Sequence, residues 1–139
     1  MSILDPASVV LSGTAETRDA AIDEAGGLLL SCGAVDAAYL TAMHDREASV
    51  STYMGSLLAI PHGTNEAKAA IKRTAISFVR YPSTIEWNGN PVEFVIGIAG
   101  AGDDHLEVLG KVAMTFMDEA KIATLREAST AEDVVALLG

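Results

Sequence analysis

The chain has 139 residues, of which 19 are Asp or Glu and 9 are Lys or Arg, so its formal charge is -10 with the histidines neutral. Half of the residues are hydrophobic and 20% are charged, a balance that excludes a disordered chain and favours one domain over residues 1–139. The few scattered basic residues argue against nucleic-acid binding, no apolar run reaches the roughly 18 residues of a membrane span, and a single cysteine excludes a disulfide scaffold.

The chain begins with a predicted strand that is followed by a helix. Ser8 to Leu11 is β-branched and apolar, which favours a strand, and Ser12-Gly13 turns the chain toward Thr17. Thr17 is a suitable N-cap for a helix from about Arg18 to Ser31. Apolar side chains recur on this helix at spacings of three and four residues, so we expect one face to be buried. That face consists of Ile22, Ala25 and Leu29.

A second helix is predicted directly after the first. Gly33 should end the first helix, because glycine commonly follows a helix C-terminus. Asp36 is expected to cap the second helix, which runs to about Ala48 and carries Arg46 and Glu47 in its last turn. The side chains that should point inward from it are Tyr39, Leu40 and Met43.

The segment Leu57 to Ile60 is a short apolar run, and Pro61 stops it because proline cannot donate to a strand ladder. This pattern predicts a strand that delivers His62 at its end. The stiff proline before His62 and the open backbone space at Gly63 after it would present the imidazole to another molecule. The competing interpretation is a turn histidine without a functional role.

Two further strands are predicted in the middle of the chain. Thr74 to Val79 is rich in strand-forming residues, and Val92 to Ala99 is almost continuously apolar, as in a sheet that is covered on both faces. Asn88-Gly89-Asn90 lies between them and is typical of a hairpin turn.

Two helices are predicted in the C-terminal third. Asp103 and Asp104 follow a glycine-containing segment and offer N-caps for the first of them. Its apolar face should consist of Leu106, Leu109, Ala113 and Phe116. Thr130 and Asp133 resemble a capping box for a last helix, although Asp is shorter than the usual Glu. The apolar residues of this helix are Val134, Val135 and Leu138.

Helices and extended segments alternate along the chain, and a hairpin is expected between two of the strands. Together these features predict an α/β fold, in which a single domain contains a mixed β-sheet flanked by helices on both faces. The pattern does not specify the strand order.

Two other residues are candidates for binding an anion. His105 lies in the first turn of a predicted helix, where free backbone N–H groups favour a phosphate; the alternative is a helix-start histidine with no role. Arg46 could bind a phosphoryl group through bidentate hydrogen bonds from its guanidinium, although an ion pair at the helix end is the simpler interpretation.

Three features do not indicate chemistry. His44 points about 200° around the helix from Arg46, at about 100° per residue, so we expect a solvated surface residue that does not share a target with Arg46. Cys32 has no basic neighbours and fits core packing. His62 and His105 have no third ligand at a recognisable spacing, so neither a metal site nor a cofactor is predicted.

Three stretches of the chain match one family in combination: DREASVSTYMGSLLAIPHGTNEAK at residues 45–68, FVRYPSTIEWNG at 78–89 and VIGIAGAGDDHLEVLG at 95–110. The sequence resembles the enzyme IIA component of the bacterial sugar phosphotransferase system, mannitol type, over essentially its whole length. His44 and the Ala- and Gly-rich tail of the segment 95–102 depart from the family pattern, but neither falls on the expected site.

The resemblance implies a phosphotransferase that carries a phosphoryl group and never binds the sugar. His62 in the family's PHG motif would be the phosphorylated residue, and His105 in the HL motif and Arg46 in the RE pair would stabilise the phosphate. The implied donor is the histidine phosphocarrier HPr, and the implied acceptor is a cysteine of enzyme IIB.

Tyr53, Met54 and Leu57 would form an apolar docking centre within an acidic surface that attracts basic patches.

Other interpretations stay open at this point. Domains of the same family also act as regulators that signal through their phosphorylation state, and a plain protein-binding scaffold would leave His62 idle. Thr64 and the segment YPSTIEWNG favour the mannitol type. The first ten residues lack the features of a secretory signal, so we expect a cytoplasmic protein. The sequence starts at Met1 and carries neither a membrane segment nor a IIB segment, so we also expect a free-standing IIA protein without direct membrane insertion.

Overall fold

Five strands form one mixed sheet in the computed structural model of this protein, which describes residues 3–139. The strands are β1 (Val9–Val10), β2 (Tyr53–Gly55), β3 (Leu58–Ala59), β4 (Ala75–Trp87) and β5 (Asn90–Ala99). Their order across the sheet is β1-β4-β5-β3-β2. The β1–β4 and β3–β5 pairs are parallel, whereas β4–β5 and β2–β3 are antiparallel. The predicted mixed sheet is therefore confirmed.

Helices cover both faces of this sheet, as predicted. The α-helices are α1 (Arg18–Ser31), α2 (Ala38–Ser49), α3 (Asp104–Thr115), α4 (Glu119–Glu127) and α5 (Ala131–Leu138), and short 3-10 helices span Pro6–Ser8 and Asn65–Ala70. Helices α1 and α2 pack on one face, and α3, α4 and α5 pack on the other. None of the helices within residues 3–139 combines the length and the apolar character that crossing a bilayer requires.

The continuous apolar run of β5 follows from this two-sided packing. Phe94, Ile96 and Ile98 lie in the core beneath α3–α5, whereas Val95 and Ala99 lie in the core beneath α1 and α2. Since consecutive strand residues point to opposite faces, a strand that is buried on both faces must be apolar at nearly every position. The helix face predicted on α1 is likewise fully buried.

The hairpin between β4 and β5 turns at Asn88 and Gly89, where it was expected. Both residues have positive φ angles, 53° and 87°, which is the geometry that tight two-residue hairpin turns require. Strand β4 is longer than predicted: it runs on to Trp87 through an irregular stretch between Arg80 and Ile85, where the pairing register shifts.

The two caps proposed on threonines are confirmed. The Thr17 side chain accepts a hydrogen bond from the Ala20 N–H, and Thr130 accepts one from the Asp133 N–H. The cap proposed at Asp36 is wrong: α2 begins at Ala38 without a side-chain cap, and the Asp36 carboxylate pairs instead with the Lys72 ammonium at 3.2 Å.

Four features of the C-terminal half and of the sheet edge differ from the sequence prediction. Leu106 is 78% exposed, because the buried face of α3 is rotated onto Val108, Val112 and Thr115. Asp103 occupies the N-cap position but makes no capping bond, and the Asp104 carboxylate accepts from the Thr74 hydroxyl at 2.6 Å. Helix α4 and strand β2 were not predicted. Of the α4 side chains only Leu125 is fully buried, so the helix has no clear apolar period.

Candidate functional site

The backbone of His62 extends the pairing of β3 with β5. The Ile98 N–H donates to the Pro61 carbonyl oxygen at 3.0 Å, and His62 itself forms a parallel bridge with Ile98. Because β5 is the central strand of the sheet, this pairing ties the segment to the middle of the sheet. His62 is only 8% exposed, so the predicted strand end delivers a histidine that is largely buried.

One ring nitrogen of His62 makes a hydrogen bond within the protein. Its Nδ1 lies 2.8 Å from the Ile60 carbonyl oxygen, and a carbonyl can only accept, so Nδ1 carries the proton. Burial lowers the pKa of His62 below its ordinary value of 6.5; the bond to Ile60 raises it, and the charges of His105 and Arg46 lower it further. At neutral pH the ring is therefore uncharged and its Nε2 holds a free electron pair.

His105 brings a second imidazole to the same place. It lies in the first turn of α3, and its ring centroid is 5.0 Å from that of His62 with a tilt of 52° between the planes. Burial is again the main cause that lowers its pKa, followed by the positive charges of Lys68 and Arg46. The two histidines, which are 43 positions apart in the chain (105 − 62), thus form one pair.

Arg46 reaches the site from the last turn of α2. Its Nη1 donates to the Val50 carbonyl oxygen at 2.6 Å, which leaves the other guanidinium N–H groups available. Among the described residues it has no ion pair with a carboxylate, so the simpler interpretation of a helix-end salt bridge does not apply. The structure brings His62, His105 and Arg46 together around one cleft of about 230 Å³.

Lys68 is a further cationic residue at this cleft that the sequence analysis missed. It lies on the 3-10 helix that follows His62, and its ammonium donates to the Gly102 carbonyl oxygen at 3.3 Å. Two permanent cations, Lys68 and Arg46, therefore flank two neutral imidazoles. This arrangement suits a dianionic phosphoryl group. Lys68 had no pattern to mark it, because its approach to His105 depends on the loop before α3.

Glu47 is a second functional candidate that was missed, and it lies beneath the site. The residue is 4% exposed, and its carboxylate accepts hydrogen bonds from the Thr52 N–H, the Thr52 hydroxyl and the Trp87 Nε1–H. These bonds fasten the segment after α2, which includes the Val50 carbonyl that Arg46 contacts. Glu47 thus holds the support of the guanidinium in place.

The turn around Gly63 differs from the expectation of open backbone space. A Cβ atom on Gly63 would lie 2.5 Å from Cε1 of Tyr39, so the glycine is required by the close approach of that ring. The Tyr39 hydroxyl also accepts from the Gly63 N–H at 2.9 Å. The residue after His62 is therefore held by the protein and does not lie free.

The remaining candidates lie away from the cleft. His44 pairs with Asp23 at 2.7 Å between Nε2 and Oδ1 and stays partly exposed, outside the group around His62. Cys32 is partly buried against the core, and its thiol donates to the Leu29 carbonyl oxygen at 3.3 Å. In residues 3–139 no group of three or more His, Cys, Asp or Glu side chains is placed to hold a metal ion.

Comparison with known proteins gives a consistent result. Residues 2–139 match the family model described as phosphoenolpyruvate-dependent sugar phosphotransferase system, EIIA 2. The mannitol-specific phosphotransferase enzyme IIA component of Halalkalibacterium halodurans is 39% identical over 138 residues, which cover 99% of this chain and 95% of that protein.

Solved structures of two kinds are similar to this fold. IIA mannitol from Escherichia coli, in the crystal, has a TM-score of 0.87 at 33% identity and covers 97% of this chain and 98% of its own. The same protein in complex with phosphorylated enzyme IIB has a TM-score of 0.86, with 94% and 93% covered. The nitrogen regulatory protein IIA-Ntr from Neisseria meningitidis has a TM-score of 0.85 at 29% identity, with 99% and 97% covered.

The match extends over nearly the whole chain in the family model, in the curated relative and in the solved structures. The segment that follows β3 and presents His62, and the pairing of His62 with His105, fit the phosphoryl chemistry for which the family is named. The chain therefore belongs to the EIIA 2 family of the phosphoenolpyruvate-dependent sugar phosphotransferase system, and it is a phosphotransferase component of that system.

Proposed function

We propose that this protein is a cytoplasmic phosphocarrier for mannitol uptake. In this proposal His62 accepts a phosphoryl group from phosphorylated HPr and passes it to a cysteine of a mannitol-type IIB protein. The observation that carries the proposal is the 2.8 Å hydrogen bond between His62 Nδ1 and the Ile60 carbonyl oxygen, because it leaves Nε2 unprotonated at the cleft.

In the first step the electron pair of His62 Nε2 attacks phosphorus in line with the bond to the donor nitrogen. The new N–P bond forms as the donor's N–P bond breaks, and the donor imidazole leaves with the electron pair. The proton on Nδ1 stays where it is and keeps its bond to Ile60. The phosphorylated ring is then an imidazolium, and the three phosphoryl oxygens carry the negative charge.

The protein's contribution to this step is positioning and charge neutralisation, since phosphoryl transfer needs little other covalent chemistry. Arg46 and Lys68 line the cleft and supply two positive charges toward the phosphoryl oxygens. His105, whose ring is 5.0 Å from that of His62, can donate a hydrogen bond to one of them. Arg46 and His105 thus stabilise the phosphate without accepting it.

In the second step a thiolate of IIB attacks the phosphorus. The N–P bond breaks and its electrons return to Nε2, so His62 leaves as the neutral imidazole that began the cycle. No proton has to be gained or lost by the carrier in either direction. Transfer is consequently reversible, and its direction depends on the partners.

The partner surface next to His62 supports docking of this kind. A shallow depression beside the histidine pair is lined by Tyr53, Met54 and Leu109, and Met54 is 44% exposed. Leu57, which was expected in the same apolar centre, does not line the depression and is partly buried. Apolar contact area within a surface of net charge -10 suits partners with basic patches.

A regulatory role is the second candidate, because the chain is also similar to a nitrogen regulatory IIA protein at 29% identity. The 39% identity to a mannitol-specific enzyme IIA component favours the transport relay. The E. coli relative in complex with phosphorylated IIB supports a IIB protein as the acceptor. Both roles share the phosphorylation of His62, and they differ in what receives the group.

Incubation of the protein with radiolabelled phosphoenolpyruvate, enzyme I and HPr tests the proposal. Label should enter the wild-type chain, fail to enter His62→Ala and enter His44→Ala, whose histidine lies outside the cleft. A mannitol-type IIB protein added afterwards should remove the label. Label retained on His62→Ala would refute the acceptor, and label that no IIB protein can remove would favour the regulatory role.

A further inference from the structure

Tyr39 is a buried polar residue at the site, and the proposed transfer steps assign it no role. It lies in the first turn of α2, its side chain is almost fully buried, and its ring lines the cleft. The hydroxyl makes two hydrogen bonds: it accepts from the Gly63 N–H at 2.9 Å and donates to the Ile98 carbonyl oxygen at 2.8 Å. Burial raises the pKa of Tyr39 above its ordinary value of 10.0, so the donor proton stays on the phenol.

These two bonds complete a connection between the His62 turn and β5. On one side of His62 the Ile98 N–H holds the Pro61 carbonyl oxygen directly. On the other side the peptide N–H of Gly63 reaches the Ile98 carbonyl only through the Tyr39 hydroxyl. Both polar groups of one β5 residue therefore fix the backbone on either side of His62, and the phenol is the only side chain in that connection.

The fit between Tyr39 and Gly63 is close enough to exclude other side chains. A Cβ on Gly63 would approach three ring atoms of Tyr39 at 2.5, 2.9 and 3.0 Å. Real Cβ atoms do not come that near to a neighbouring side chain, so the position of the Tyr39 ring requires a glycine at residue 63. The glycine of the PHG motif thus serves the packing of Tyr39 and not an unusual backbone angle.

Helix α2 links this connection to the phosphate-binding arginine. Tyr39 and Arg46 are seven positions apart (46 − 39), which at about 100° per residue is about 20° short of two full turns, so both project from the same face. One helix therefore holds the backbone after His62 at one end and the guanidinium at the other. The distance and direction between Nε2 and the guanidinium depend on the Tyr39 contact.

We propose that Tyr39 is a positioning residue for phosphoryl transfer, whose hydroxyl fixes the line from His62 Nε2 toward the bound phosphoryl group. The inference rests on the proposed phosphocarrier function, because the imidazole that Tyr39 positions is that of the proposed phosphoryl acceptor, His62. Tyr39 touches neither the phosphorus nor a partner in this scheme. Its effect should appear in the rate of the chemical step and not in donor binding.

The test compares two proteins that each lose one buried tyrosine hydroxyl. Tyr39→Phe keeps the ring that packs on Gly63 but removes both hydrogen bonds. Tyr81→Phe is the matched control, because the Tyr81 side chain is equally buried and its hydroxyl donates to Glu24 at 2.7 Å, outside the cleft. Single-turnover transfer from phosphorylated HPr is measured over a range of donor concentrations, together with nitrogen NMR of the His62 ring.

We expect Tyr39→Phe to lower the maximal transfer rate by about 10-fold or more, since small misalignments of reacting groups are costly. Its half-saturating donor concentration should stay within about 2-fold of wild type, because the phenol does not reach the partner surface. Tyr81→Phe should change both values by less than about 2-fold. Equal maximal rates for the two variants, or a loss confined to the half-saturating concentration, would overturn the inference.

Two NMR measurements decide the question even if the activity assay fails. In the wild-type protein the Gly63 amide proton should exchange slowly with solvent, and exchange as fast as in an unstructured peptide would contradict the contact. In Tyr39→Phe the Gly63 amide proton should exchange faster and the ring signals of His62 should shift, because the turn that holds the ring has lost one of its two supports; unchanged exchange and unchanged ring signals would overturn the inference. Absence of label in the wild-type protein would instead refute the proposed function and leave these two results to decide the role of Tyr39.

Discussion

The ring centroids of His62 and His105 lie 5.0 Å apart. At this distance the positive charge of a protonated His105 is one of the causes that lower the pKa of His62. Burial is the larger cause. A nucleophilic Nε2 requires the neutral ring, so a lowered pKa widens the pH range in which the proposed acceptor is ready.

The first prediction concerns this pH range. Because the pKa of His62 lies below 6.5, phosphoryl transfer to His62 should be constant near neutral pH and decline only as the pH falls through that lowered value. In His105→Gln the charge that lowers the pKa is absent, so the decline should begin at higher pH. Single-turnover rates and NMR titration of His62 in both proteins provide the measurement.

The same shifts have a consequence for stability with a definite sign. Folded His62 and His105 bind a proton more weakly than the unfolded chain does, so protonation favours unfolding. The free energy of unfolding should therefore fall as the pH drops below 6.5, and this fall should be smaller in His105→Gln. An equal fall in both proteins would show that His105 makes no such contribution.

The second prediction concerns the groups that neutralise the phosphate. Arg46→Gln and His105→Ala should each slow single-turnover transfer to His62 by about 10² or more, as for other lost donors to a developing charge. Arg18→Gln is the matched control for the arginine, because Arg18 pairs with Asp19 and Asn88 outside the cleft. Unchanged rates for both Arg46→Gln and His105→Ala would refute their assignment.

The third prediction concerns the buried carboxylate beneath Arg46. Glu47→Gln keeps the shape of the side chain but places an NH₂ group among donors from Thr52 and Trp87, so at least one of them loses its acceptor. The free energy of unfolding should drop by about 1–3 kcal/mol in urea denaturation. Glu127→Gln, at an exposed position of α4, serves as the control and should change it by less than about 0.5 kcal/mol.

The fourth prediction concerns docking. Exposed charges are screened over about 8 Å at physiological ionic strength, so the second-order rate constant for transfer from HPr should fall as salt rises. The maximal rate at saturating donor should change little, because the proposed acceptor His62 is itself largely buried. A second-order rate constant that is independent of salt would show that the acidic surface does not guide the encounter.

Local sequence patterns were sufficient to predict features that depend on a single element or turn. Thr17 and Thr130 cap their helices as predicted, and the Asn88-Gly89 turn lies where the hairpin was expected. Helix α4 escaped prediction because only Leu125 of its side chains is fully buried. Leu106 was assigned to the core because its spacing fits a helix face, and the sequence alone does not say how α3 is rotated on the sheet.

The site shows the same division. The presentation of His62 by a strand that ends in proline was readable from the chain, whereas the approach of His105 and Arg46 was expected only from a family resemblance. The bond from Tyr39 to Ile98 spans 59 positions, and the one from Glu47 to Trp87 spans 40. No local pattern encodes such contacts, because they exist only after helix α2 has packed on the sheet.

The direct pairing of His62 with an inner strand has a consequence for the order of events in the relay. A reactive group whose backbone is hydrogen-bonded to the central strand of a sheet cannot swing from one docked protein to another, so donor and acceptor must approach the same Nε2 from the same side in turn. Transfer should then follow ping-pong kinetics, and in the proposed relay an excess of unphosphorylated IIB should slow loading by occupying the surface at which HPr would dock. The rate of departure of each partner, and not any motion of the carrier, would limit the flow of phosphoryl groups.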